Sequence, residues 1–362
     1  MEKKMIFSNY LDYVLLKSNS DELLRYVGDY LVPEAGDAET NCTWEVIAHL
    51  KKNKMVCKDK NLGIAIKGEY NEQLYSFKLG KKNVLWNSNT DSFIIQASEK
   101  KLVVVNDNIQ GLFMDTYRAI RQILISGLLN RGAIIIHSSG IMIKDKAYIF
   151  FGGKGAGKTT SVFQNVLKGK GIKKFLANER ILALTVNNKI LIYGWPGVAF
   201  VGVGTIISTV GLESLRDIHS RAGGVALLLT EHKLLTEEYL NGLIELGEKE
   251  ASKKVEKVWL TPSEISTLTD CSIKNYGFLD KIFLPQLKIQ ERNTQRIRQI
   301  TENELEELLD DSIITNINFY NDWLGLRKLN QDYIENNMLK DLLSIDAYMI
   351  EGSNLMIDGD ES

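Results

Sequence analysis

Residues 1–115 alternate short apolar, β-prone stretches with turn-forming Asn, Asp, Gly and Lys. Four such stretches, at 62–66, 74–79, 92–96 and 102–105, read as strands. The stretch 42–51 reads as a helix, with Thr43 or Asn41 as its cap. The pattern predicts a strand-rich N-terminal domain over 1–115 that serves docking or oligomerisation.

Near residue 115 the period changes. Tyr117, Ile120, Ile123, Leu124 and Leu128 recur at helical spacing over 114–129, and Asn130-Arg131-Gly132 supplies a C-cap signal. Strands are then expected at 133–136, 141–143 and 147–151. A strand pair follows at 180–186 and 189–193, joined by Asn187-Asn188. Buried strands at 225–230 and 257–260 flank a helical stretch near 236–248. Thr261-Pro262-Ser263-Glu264 and Thr301-Glu302-Asn303-Glu304 are both capping boxes, and the first also has Pro at the first helical position. The expected plan is a core over 116–270 and a helical C-terminal region over 271–362. The last stretch of that region is acidic, without Lys or Arg after Lys340, and should fray.

Composition narrows the class. The 362 residues carry a net charge of -2, with 44% hydrophobic and 25% charged residues. These values exclude a wholly disordered, collagen-like or disulfide-scaffold chain. Neutral bulk charge gives no argument for nucleic acid. Arg292, Arg296 and Arg298 precede an acidic helix; they read as a solvated face or an anion contact, without the aromatics that stack bases. Cys42, Cys57 and Cys271 cannot all pair and form no C-x-x-C, which suits free thiols in a reducing cytoplasm. His49, His219 and His232 show no metal spacing. No apolar run approaches the roughly 20 residues of a membrane span, and the N-terminus lacks a signal-peptide apolar region. The expectation is a cytoplasmic protein with neither membrane nor nucleic acid as a partner.

The most informative segment is Gly152-Gly153-Lys154-Gly155-Ala156-Gly157-Lys158-Thr159, which matches G-x-x-x-x-G-K-[ST]. Phosphates need several backbone N–H donors aimed into one concavity, and glycines let the backbone curl that closely. A helix opening at Gly157 would aim its dipole at the same anion. Lys158 would reach the β- and γ-phosphates, and the Thr159 hydroxyl would ligate Mg²⁺. Gly153, Lys154, Gly155, Ala156 and Thr160 complete the cofactor-binding set. Lys154 is read as a phosphate contact or a solvated lysine, Thr160 as a cap or an α-phosphate contact. The motif follows an apolar run and precedes an amphipathic stretch, the strand–loop–helix context that such a loop requires.

His137, this loop and the later Phe175-Leu176-Ala177-Asn178-Glu179-Arg180-Ile181 together resemble the HPr kinase/phosphorylase family. Leu191-Ile192-Tyr193-Gly194-Trp195-Pro196 and Gly202-Val203-Gly204-Thr205-Ile206 are similar to further family elements. The resemblance covers about residues 115–210. It implies an α/β fold with a phosphoenolpyruvate carboxykinase-related core, ATP and Mg²⁺ as cofactors, phosphoryl transfer to a hydroxyl, and a homo-oligomer. Family members carry two adjacent Asp residues, the first acting as general base and acid. Here Asn178 and Glu179 stand there, and Asn cannot take a proton at neutral pH. The family's metal-binding Glu also has no match, because this chain reads Ala199-Phe200-Val201-Gly202.

The expected activity is therefore an ATP/Mg²⁺-dependent kinase whose acceptor is a hydroxyl of a peptide, a protein or a small molecule, but not HPr itself. The alternatives are an ATP-binding regulator or ATPase, and an assembly protein. The candidate catalytic residues are His137, Lys158, Asn178 and Glu179. His137 reads as a structural strand end or as a group polarising a phosphate or substrate oxygen. Glu179 reads as a metal ligand or base, or as an ion-pair partner of Arg180. Asn178 would orient a water or hydroxyl. Trp195 and Pro196 read as core packing or as a wall of the site.

Overall fold

The computed structural model describes residues 2–34, 42–52, 63–68, 72–169, 172–221, 235–288, 294–310, 312–314, 320–328 and 335–357. It is mixed α/β and falls into two compact units, Met1–Asn130 with Asn316–Leu329, and Arg131–Thr315 with Asn330–Ser362. No helix among the described residues is long and apolar enough to cross a membrane.

The first unit is built on β1 (Lys3–Ser8), β2 (Tyr13–Ser18), β3 (Trp44–Leu50), β4 (Ile64–Lys67), β5 (Gln73–Leu79), β6 (Lys82–Asn87), β7 (Ser92–Ser98) and β8 (Lys101–Asn106). They form one sheet in the order β1-β2-β3-β8-β7-β6-β5-β4. Helices α1 (Asp21–Tyr30) and α2 (Ile109–Leu129) pack together through Tyr30, whose ring lies 4.9 Å from Phe113 and 5.4 Å from Tyr117. Asn108 caps α2, accepting from the Gln110 N–H at 2.8 Å.

The helix expected over 42–51 is instead strand β3. Trp44, Val46 and Ile47 suit a pleated surface, and β3 is hydrogen-bonded in parallel to β2 on one side and β8 on the other. Val46 and Ala48 are fully buried in that position, so sheet packing overrides the capping signal of Thr43.

The second unit contains β9 (Ile134–Ile136), β10 (Ser139–Ile143), β11 (Lys146–Phe150), β12 (Lys173–Ala177), β13 (Ile181–Val186), β14 (Lys189–Gly194), β15 (Ala199–Gly202), β16 (Lys257–Leu260), β17 (Tyr276–Leu287), β18 (Gln295–Gln299) and β19 (Ala347–Gly352). Its described helices are α3 (Lys158–Lys168), α4 (Val203–Val210), α5 (Glu213–Arg221), α6 (Glu237–Leu246), α7 (Glu248–Ala251), α8 (Pro262–Thr269), α9 (Glu302–Asp310) and α10 (Glu335–Leu343). The main sheet runs β12-β10-β11-β17-β14-β13-β9, with β19 joined to β17 and to β18. β15 and β16 form a separate antiparallel pair.

Both faces of the main sheet are covered. Ile141, Ile143, Tyr148 and Phe150 pack with Val162, Phe163 and Val166 of α3. Met142, Ala147, Ile149 and Phe151 belong to the opposite core, with Leu305 and Leu309 of α9 and Met338 and Leu342 of α10. Burial on both faces explains why β11 reads as a continuous apolar run.

The expectation of a mostly helical region over 271–362 does not hold. β17 pairs with β11 and β14 inside the sheet, and among the described residues of this region only α9 and α10 are helical. Its Ile282-Phe283-Leu284 segment is a buried-strand run with apolar partners on both faces. The described part of the acidic stretch, up to Ile357, also departs from expectation, and residues 358–362 lie outside the described residues. β19 runs parallel to β17, and Leu355 and Ile357 beyond it are buried. Apolar residues between the acids supply the driving force there. The strand expected at 225–230 lies outside the described residues.

Candidate functional site

The loop after β11 is fixed at both ends. Phe151 N–H donates to Phe283 O at 2.9 Å, and Leu287 N–H donates to Ala156 O at 2.9 Å. Both contacts come from β17. Between them the backbone curls through positive φ at Gly152 (134°), Gly155 (86°) and Gly157 (106°).

Gly157 is the N-cap of α3, and no side chain caps that terminus. The first intrahelical bond is Ser161 N–H to Gly157 O at 2.8 Å. The N–H groups of the first turn, from Lys158 onward, therefore have no intrahelical acceptor. That donor set fits a phosphate. Gly153, Lys154 and Gly155 are exposed, whereas Lys158 is only 8% exposed. Its ammonium donates to Gly152 O and, at 3.2 Å, to Gly153 O. Burial and then the neighbouring Lys257 charge push its pKa below the usual lysine value, while Glu179 pulls the other way.

The end of β12 brings Asn178 and Glu179 to the start of α3. The Asn178 carbonyl oxygen accepts from Thr159 Oγ1 at 3.0 Å and from Ser139 Oγ at 2.8 Å. Its amide nitrogen donates to Phe200 O on β15 at 2.7 Å. Asn178 is thus a buried three-way tie between α3, β10 and β15. Glu179 turns the chain with φ of 76°, a left-handed value that costs a non-glycine residue about 1–3 kcal/mol. Its carboxylate is ion-paired with Lys257 at the start of β16. The Arg180 guanidinium lies over the Trp195 ring at 5.7 Å.

His137 follows β9. Its backbone N–H donates to Ser312 O at 2.8 Å, and its ring hydrogen-bonds the Glu179 backbone. Burial first, and then the Lys158 charge, lower its pKa below the ordinary 6.5, which keeps the ring neutral near pH 7. His137, Lys158, Thr159, Asn178 and Glu179 are therefore gathered in one cluster. Thr160 is half-buried in the first turn of α3. Phe200 packs edge-on against Trp259 at 4.8 Å. Among the described residues no group of three or more His, Cys, Asp or Glu could hold a metal ion.

Comparison with known proteins adds little. No protein-family model matches the chain. No curated protein matches it either. Among solved structures, the Hpr(Ser) kinase/phosphatase from Coxiella burnetii is similar at 10% identity and a TM-score of 0.23. That match covers 46% of this chain and 76% of the other.

Sequence reasoning missed Ser139 and Lys257. Ser139 lies between two expected strands, with nothing in the sequence to mark its hydroxyl as an Asn178 donor. Lys257 is 78 residues from Glu179 and opens a strand that looks purely structural. Neither has a local signature.

Proposed function

We propose that the chain is an ATP/Mg²⁺-dependent phosphotransferase that moves the γ-phosphoryl group to a hydroxyl of a peptide, a protein or a small molecule other than HPr. One observation carries this reading: the uncapped N-terminus of α3, with buried Lys158 as its first residue, lies beside the Thr159–Asn178–Glu179 cluster.

The donor set supports the cofactors. Loop and first-turn N–H groups would hold the phosphates, and Lys158 would leave the Gly152 and Gly153 carbonyls to reach the β- and γ-oxygens. The Thr159 hydroxyl and the Glu179 carboxylate are the protein oxygens suited to Mg²⁺. Such a small protein contribution suits this cation, which keeps waters and takes phosphate oxygens. When bound, Mg²⁺ would neutralise charge on the phosphates. Asn178 orients the Thr159 hydroxyl, and neutral His137 braces the Glu179 backbone while presenting its ring to the same space. Positioning and preorganised charge then supply most of the rate, as phosphoryl transfer requires.

A second reading, nucleotide binding or hydrolysis without transfer to an acceptor, is favoured by Asn178. Its amide is used in structural hydrogen bonds and takes no proton. Incubation with γ-labelled ATP, with and without candidate acceptors, separates the two. Label on an acceptor that disappears in Lys158→Ala supports transfer. Free phosphate alone supports the second reading, and absence of nucleotide binding overturns both.

A further inference from the structure

We propose that Lys257 is a second phosphate-binding cation of this site, exchanging its ion pair with Glu179 for the terminal phosphate of a bound nucleoside triphosphate. The proposal rests on the reading of the loop as a nucleotide site.

The placement comes from a chain of contacts. Thr159, in the first turn of α3, donates to Asn178 at 3.0 Å. Asn178 donates to the Phe200 carbonyl of β15 at 2.7 Å. β15 pairs with β16 in a register that sets Lys257 opposite Gly202, where no side chain stands against it. The β15–β16 pair is thereby tied to the phosphate end of α3. Lys257 starts β16, and its ammonium reaches the Glu179 carboxylate next to Asn178.

Charge and exposure point the same way. Two lysines, Lys158 and Lys257, face one carboxylate, Glu179, and His137 beside them is held neutral. The cluster has a cation in excess, and each lysine charge is unfavourable to the other. A triphosphate supplies the missing negative charge. The Lys257 side chain is 51% exposed, so it lies at the open side of the site while Lys158 lies inside. The pair is half-exposed on the lysine's side, where such contacts contribute little, while Glu179 is 20% exposed and needs a cation in its place. A lysine on a four-carbon stem can swing between two nearby anions without moving its strand. The exchange also frees the Glu179 carboxylate for Mg²⁺.

A purely structural ion pair would look the same at rest, so the test must depend on the terminal phosphate. Dissociation constants for Mg²⁺–ATP and Mg²⁺–ADP are measured by calorimetry on the full chain as wild type, Lys257→Met and Lys257→Arg. The expected result is a loss of about tenfold or more in ATP affinity for Lys257→Met, since charge-assisted bonds are the strong ones. ADP affinity should stay within about twofold, and Lys257→Arg should recover most of the ATP affinity. Equal losses for ATP and ADP, or none for ATP, overturn the proposal while leaving the loop assignment standing. A wild-type chain that binds neither nucleotide removes the loop assignment itself. Thermal midpoints of the variants, with Lys257→Gln as a second neutral replacement, show whether folding is preserved.

Discussion

Gly157→Ala tests whether the loop is as tightly seated as its contacts imply. Gly157 has φ of 106°, where an L-residue costs about 1–3 kcal/mol. A Cβ there would lie 2.9 Å from Leu287 Cβ and 2.9 Å from Leu355 Cδ1. The Leu355 methyl can rotate away. Leu287 Cβ cannot, because it is fixed to a β17 backbone whose N–H already holds Ala156 O. Relief requires shifting the loop against the sheet, and such overpacking costs about 1–3 kcal/mol more. Gly155→Ala is the control. Its φ of 86° imposes similar strain, but nothing lies within 4 Å of an added Cβ. The difference between the two variants isolates the clash. At about 2–4 °C per kcal/mol for a unit of this size, Gly157→Ala should melt roughly 2–12 °C below Gly155→Ala. Thermal unfolding followed by circular dichroism reads this directly. Equal midpoints would refute the claim that β17 and the C-terminal segment clamp the loop.

Lys158→Ala should abolish the stabilisation by ATP, which for a wild-type chain at about a hundred times its Kd amounts to about 2.7 kcal/mol. An unchanged ATP-induced shift in midpoint would sink the loop assignment. Glu179→Gln should lower turnover by about tenfold or more, equivalent to about 1.4 kcal/mol of barrier, while nucleotide binding stays mostly intact. If turnover survives, Glu179 is structural. In the first unit, hydrogen bonds from Lys101 and then Lys17 hold the Glu45 carboxyl below its ordinary 4.5. The folded pKa is depressed, so this stabilisation is present above about pH 4.5 and is lost as pH falls through the lower folded value. Glu45→Gln should therefore show a shallower acid decline in thermal midpoint than the wild type, and parallel declines would count against the ion-pair role.

Legibility in the sequence followed the range of the interactions. The strand–loop–helix around Gly152 to Thr159 is local: the motif specifies Gly152 and Gly157, and Gly155, the third glycine at positive φ, stands between them. The Asn187-Asn188 turn is equally local, and the structure gives both residues positive φ, 50° and 60°, between β13 and β14. Thr261 and Glu264 form the expected reciprocal cap, at 3.1 and 2.7 Å. What was not legible depends on pairing across the chain. β3 carries a capping signal at Thr43 that loses to two parallel neighbours. β17 carries only the short apolar run Ile282-Phe283-Leu284 as a local mark, and its place beside β11 is a register between residues far apart. The Glu179–Lys257 pair joins two strand ends with no shared pattern.

The same division explains how the glycine-rich loop is held as a structure. Its motif sets which groups can face an anion, but a loop of glycines is not rigid on its own. Rigidity comes from the far end of the chain. Leu287 holds Ala156, and the segment beyond β19 grips the back of α3. Gln164 Nε2 donates to Ser353 O at 3.0 Å and its Oε1 accepts from Leu355 N–H at 2.8 Å. Buried Asn165 does the same with Leu355 O at 3.0 Å and Ile357 N–H at 2.9 Å, while Lys173 donates to Asn165 Oδ1 at 2.9 Å. Two adjacent amide side chains of α3 thus pair with the backbone of 353–357 much as a neighbouring strand would. An anion site of oriented N–H groups gains its strength from not having to reorganise when charge arrives. Residues 353–357 bind α3 at Gln164 and Asn165, beyond its first turn, and so help to fix how that turn is presented. Residues 353–357 are therefore part of the loop's support, through their backbone hydrogen bonds and through buried Leu355 and Ile357.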